Sequence, residues 1–152
     1  MHSDNAGLAV ANIGASYVNA LRHAAENLRL RRRPSAEVWS PLEYATHMRD
    51  VLLLFTRRIL AILTTDNPEL EVVSYDRLVD RGGYNRLDPL IVGQQIQDAS
   101  QRLAEILNDL VPADFARRGF RDGEERTVLE IARRAAHESE HHLLDMARGL
   151  AD

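Results

Sequence analysis

Along four stretches of the chain, apolar residues recur every three or four positions, the period of an α-helix with one buried face. In the first, Leu8, Ala11, Ala15, Val18, Leu21, Ala25 and Leu28 form the stripe behind a Ser3-Asp4-Asn5 cap. It ends near Arg33, which precedes a proline and so favours extended backbone. The second opens on a capping box: Ser40 at the cap, Pro41 at the first helical position, Glu43 closing the box. Its stripe is Leu42, Ala45, Met48, Leu52, Phe55, Ile59 and Leu63, and it stops around residues 64–68. The third runs from Asp88-Pro89 to Leu110 on Val92, Ile96, Ala99, Leu103, Ile106 and Leu110. The fourth opens on a second capping box, Thr127 with Glu130, and runs to about Leu150.

Two connections separate these segments. Residues 64–88 form a long link broken by Gly82 and Gly83, with a short helix expected around 74–80. A connection of that length in a small domain is often functional. Residues 111–126 read as a second loop. No stretch alternates with the period of a strand at comparable strength, and no repeat or low-complexity tract is present. The expected fold is all-α, a four-helix bundle forming a single domain over residues 1–152.

Composition changes this picture in three ways. The net charge of −4 and the lack of a basic stripe exclude a general nucleic-acid binder. No apolar run approaches the ~18 residues of a membrane helix, and no secretory signal is visible, so a cytoplasmic protein is expected. The chain has no cysteine and no lysine; all 19 basic residues are arginine. That rules out a protein thiolate ligand or nucleophile, Schiff-base catalysis and a phosphate-loop lysine. An all-arginine basic set also fits a GC-rich source genome.

The densest candidate chemistry is "HESEHHLLD", residues 137–145, on the fourth helix. The apolar stripe there is Val128, Ala132, Ala135, Ser139, Leu143, Met146 and Leu150. Against it, His137 and His141 fall on the polar side with Glu130, Arg134 and Arg148. Glu138, His142 and Asp145, at spacings of four and three, border the buried edge. On the second helix, His47 shares a face with Tyr44, Val51 and Leu54 or Phe55. Two histidines and a carboxylate from two helices suit a three-ligand site for zinc, iron or nickel, with positions left for water or substrate. Asp145 or Glu43 would orient a histidine from behind. A histidine satisfied within the core is the plainer alternative.

These residues resemble the DinB-like superfamily. "RRRPSAEVWSPLEYATHMRDVLLLFTRRI" is similar to its second-helix signature, and "HESEHHLLDM" to its fourth. Within it, the pattern of Glu138, His142 and Asp145 looks like the actinobacterial branch that includes mycothiol S-transferases and the N-terminal domain of mycothiol-dependent maleylpyruvate isomerase. The resemblance implies a four-helix bundle, a homodimer, and a divalent metal on His47, Glu138 and His142. Zinc is favoured, with nickel, iron or manganese as alternatives. Other branches carry a third histidine where Glu138 stands, so His137 and His141 leave open a register one residue earlier.

The implied activity is that of a metal-dependent thiol S-transferase or isomerase of the stress-response type. The metal activates an external low-molecular-weight thiol, mycothiol first, for attack on an electrophile. Coordination of a thiol to a divalent cation removes its proton, and a chain without cysteine must receive that thiol from outside. Two alternatives use the same residues: a two-histidine, one-carboxylate iron enzyme, and a non-enzymatic dimeric bundle with a structural metal. Arg117, Arg118 and Arg121, before the fourth helix, and Tyr44, one turn before His47, are candidates for holding the thiol. Tyr84, in the "RGGYN" loop, is a candidate for closing over the site. No specific catalytic residue is assigned.

Overall fold

The computed structural model describes residues 1–151. Four long helices carry the fold: α1 (Ala6–Ala24), α2 (Pro41–Thr64), α4 (Pro89–Asn108) and α6 (Val128–Ala151). Between them lie α3 (Tyr75–Gly82), the single turn α5 (Pro112–Phe115), and a hairpin of β1 (Arg118–Arg121) and β2 (Glu124–Thr127). Among the described residues, no helix is long and apolar enough to cross a membrane.

The helices are not neighbours in chain order. α1 packs on α4 and α6, and α2 packs on the same two, so α1 and α2 face each other across the diagonal, as do α4 and α6. Each diagonal step must cross an end of the bundle, which explains the long connections 25–40 and 109–127. The first is tied down by Leu30, which is buried and whose carbonyl accepts from Leu42 N at 2.9 Å. Arg31 adds bonds to the carbonyls of Asn85 and Leu87.

α1 and α4 run antiparallel at close range. A Cβ on Gly14 would lie 3.0 Å from the Gln97 Cα, so a side chain there would push the helices apart. Ser100 Oγ exploits the approach, accepting from Gly14 N at 3.1 Å and donating to Val10 O at 2.6 Å. This contact face differs from the expected stripe. Ala6, Val10, Ile13, Tyr17, Leu21 and Ala24 are buried, whereas Leu8 and Ala15 are exposed. Gly7 and Gly14 are buried on this face and let the backbones meet, and a stripe counted on apolar side chains does not register glycine. α1 also stops at Ala24 rather than near Arg33. Asn27 accepts from Arg29 N at 2.9 Å, a local turn that competes with the helix, and Leu28 is 94% exposed.

The second loop holds a β-hairpin that the stripe reading missed. β1 pairs with β2 antiparallel, Arg121 opposite Glu124, around Asp122 and Gly123 with φ of 50° and 78°. Two consecutive positive φ values make the type I′ turn that Asp-Gly favours. The hairpin is fastened to the chain leaving α2: Leu70 N donates to Phe120 O at 2.7 Å, and Phe120 N to Pro68 O at 2.9 Å. Gly123→Ala is expected to cost about 1 kcal/mol, roughly 2–4 °C of Tm, through backbone strain alone, since nothing lies within 4 Å of the added methyl. Thermal melts would check this; an unchanged Tm would contradict the turn.

Candidate metal centre

The start of α2 fixes where His47 stands. Ser40 Oγ accepts from Glu43 N at 3.1 Å and Glu43 Oε1 accepts from Ser40 N at 2.9 Å, the capping box the sequence predicts. Arg33 then grips the same carboxylate with two bonds of 2.8 and 2.7 Å. Burial alone would raise the Glu43 pKa, but the Arg33 guanidinium and the Ser40 amide outweigh it and hold it below the usual range. Glu43 is thus engaged at the helix start and does not orient a histidine. His47 lies one turn further on and is 5% exposed.

α6 runs antiparallel to α2, with Pro41 against Gly149, and so carries Glu138 and His142 past His47. One ligand atom each from His47, Glu138 and His142 lie within 4.8 Å of one another, a possible metal site. The His47 and His142 rings meet edge to face, with centroids 4.7 Å apart. Glu138 Oε2 is 3.1 Å from His142 Nε2, and its other oxygen accepts from Arg134 at 2.7 Å. Asp145 Oδ2 is 3.2 Å from His142 Nδ1.

The donor set fits a divalent cation. A neutral imidazole has one N–H and one lone pair, yet His142 faces a carboxylate on each side. Donating Nδ1–H to Asp145 leaves the Nε2 lone pair directed at Glu138, and a cation between these two would satisfy both. His47 Nδ1 is buried without a hydrogen-bond partner among the described residues. Burial, and secondarily His142, push the His47 pKa down to about 3, so its ring is neutral at physiological pH, the form that binds metals. Trp39 and Tyr75 pack against the His47 ring at 5.0 and 4.6 Å.

The other sequence candidates divide. His137 and His141 are exposed, their rings 4.3 Å apart, on the face of α6 turned from His47. Tyr44 stacks on the His142 ring at 5.4 Å and supports it from behind. Arg121 lines a cavity of about 720 Å3 that opens beside His47 and Glu138. Arg117 and Arg118 do not reach it and line a separate recess with Asp66 and Asn67. There Arg117 donates to Leu63 O at 3.1 Å, while Arg118 pairs with Glu125. Tyr84 does not close over the site; it is buried, with its hydroxyl donating to Asp50 on α2.

Val51 and Phe55 continue the face of His47 along α2, as the spacing predicts, and the cavity adds residues that the sequence did not mark: Arg58 on the same helix, and Tyr75 and Val73 from the long connection. Helical arithmetic would have found Arg58, since eleven residues after His47 is three turns of helix, which returns to the same face.

Known proteins agree with this picture of the fold. No curated protein sequence matches the chain. Among solved structures it resembles YfiT from Bacillus subtilis, described as a probable metal-dependent hydrolase with an unusual four-helix bundle topology. The TM-score is 0.86 at 17% identity, covering 97% of this chain and 85% of that one, a likeness that establishes the fold alone. The model of the DinB superfamily matches residues 17–146, and the chain belongs to that superfamily.

Proposed function

We propose that this protein holds a divalent metal on His47, Glu138 and His142 and uses it to activate an external low-molecular-weight thiol, mycothiol first, for attack on an electrophile. The observation that carries the proposal is the meeting of a buried, partnerless histidine with a Glu–His–Asp row, beside a cavity of about 720 Å3. Three ligands leave coordination positions open, as in catalytic rather than structural sites. Zinc suits the nitrogen and oxygen donors. When bound, the metal would keep a coordinated thiol deprotonated at neutral pH.

The residues of the chain have separable tasks. Asp145 fixes the tautomer of His142, Arg134 orients Glu138, and Trp39 and Tyr44 keep the two imidazoles in place. The apolar wall of Val51, Phe55 and Val73 excludes water from the side where an electrophile would lie. The absence of cysteine from the chain and the likeness of the Glu138, His142 and Asp145 pattern to mycothiol-dependent enzymes support a thiol as nucleophile. The description of YfiT makes water the competing nucleophile at the same ligands. By the same resemblance, the protein works as a homodimer.

Mass spectrometry of zinc-loaded protein with mycothiol and a model electrophile tests the proposal. Conjugate formation that chelation removes is expected. No conjugate above background with several thiols, together with zinc-dependent ester hydrolysis, would favour water instead. A further expectation concerns Asp145→Asn, which keeps the shape but loses the negative acceptor. Zinc affinity should fall about 10–100-fold, measured by competition with a chromophoric chelator. An unchanged affinity would remove Asp145 from the site.

A further inference from the structure

The charged residues around the cavity are almost all answered within the protein. Arg126 pairs with Glu124, Arg134 with Glu138, and Glu125 with Arg118. Glu130 accepts from Thr127 N at 3.1 Å in the α6 capping box. Two arginines are the exception. Arg58, only 8% exposed, donates Nε to Glu71 O at 2.9 Å and lies over the Phe55 ring at 5.6 Å. Its remaining N–H groups have no acceptor, and it forms no ion pair, among the described residues. Arg121, exposed on β1 across from Glu124, likewise forms no ion pair among the described residues. Beside Arg58, the buried Tyr75 hydroxyl is also without a partner among the described residues.

The free N–H groups of Arg58 open onto the cavity, and a guanidinium so far withdrawn from bulk water, beside a second positive charge, gains from an anion. Such an arrangement is stable enough to persist but is improved by an anion. Arginine's planar fork suits a carboxylate, which it can take in two parallel bonds. Val51, Phe55, Leu70 and Val73 give the same cavity an apolar lining.

We propose that Arg58 and Arg121 recognise a carboxylate on a ligand of this cavity whose apolar body lies along that lining, with its other end at the metal centre. The ligand class is therefore a small carboxylic acid with an aliphatic or aromatic body. This assignment rests on the proposed function only for what happens at the far end; the arginine site itself needs no metal.

The test is calorimetric binding of 4-phenylbutyrate and its uncharged amide, 4-phenylbutanamide, to chelator-treated and to zinc-loaded protein. In the metal-free protein the acid should bind at least about tenfold more tightly than the amide. Arg58→Gln should abolish the preference, Arg58→Lys should keep part of it, and Arg117→Gln should leave it intact. If Arg58→Gln does not fold, the wild-type acid–amide comparison and Arg121→Gln, expected to weaken the preference, decide the matter. No preference in the metal-free wild type would overturn the proposal. So would a full preference in folded Arg58→Gln. A preference that appears only with zinc would make the acid a metal ligand, overturning the arginine site while leaving the metal reading intact. Failure to bind zinc, with the preference retained, would do the reverse. Displacement of bound 4-phenylbutyrate by N-acetylcysteine but not by its methyl ester would place the carboxylate on the thiol. Joint binding of thiol and acid would place it on the electrophile, and both results support the arginine pair.

Discussion

Replacing His142 with alanine is expected to lower zinc affinity by at least about a hundredfold, beyond the ~10–100-fold typical of a group behind a ligand. His47→Ala should do the same. His142 is flanked by Glu138 at 3.1 Å and Asp145 at 3.2 Å, so its removal takes away a ligand and leaves two carboxylates without the imidazole between them. His137→Ala and His141→Ala should leave the affinity unchanged, because those rings are exposed and contact each other. The metal-free protein should nevertheless remain folded. Its core is a continuous apolar cluster running through all four long helices, large enough not to need a structural metal. Chelator competition for affinity and circular dichroism for helicity check both halves. Loss of binding in the His137 and His141 variants, with retention in His142→Ala, would move the site by one register.

The second large effect is on stability, at Glu43. This carboxylate is 4% exposed and carries the N-terminus of α2 through Ser40 and Arg33. Glu43→Ala removes the capping box and leaves Arg33 with only the exposed carboxylate of Asp80, at 3.6 Å. Buried pairs cost about 3–5 kcal/mol to break from one side. Arg33 is about a third exposed, so solvent screens part of the pair. The expected loss is about 2–3 kcal/mol, or roughly 5–10 °C of Tm. The pH dependence has a definite sign. The folded-state pKa of Glu43 is lowered, so its contribution is complete above the unfolded value of about 4.3. It fades as pH falls through the folded value. Glu43→Gln should therefore be less stable than wild type at pH 7, and the gap should narrow below about pH 4. Urea unfolding across that range measures it, and a gap that widens on acidification would contradict the pair.

Much of this was legible in the sequence because it is written locally. Both capping boxes rest on spacings of three, and the structure shows each bond. The stripe on α6 separated Glu138, His142 and Asp145 from His137 and His141 because helical geometry allows only one set to face α2. What failed was non-local or built from small residues. The α1 contact face uses Gly14 and Ser100, whose role appears only when α4 is adjacent. The hairpin had a local signal, Asp122-Gly123, but its strands are short and charged and show no alternation. Placing Arg121 in the cavity, and Arg117 and Arg118 outside it, depends on how the hairpin fastens to Leu70. The diagonal order of helices is likewise set by packing partners and leaves no mark in any one segment.

The most direct measurement is anomalous diffraction from crystals of the zinc-loaded protein, collected on both sides of the zinc absorption edge. One peak is expected between His47, Glu138 and His142, with ligand distances near ~2.0–2.2 Å. A peak between His137 and His141, or zinc present in the crystal with no density at the three residues, would contradict the metal centre on which the proposed chemistry depends.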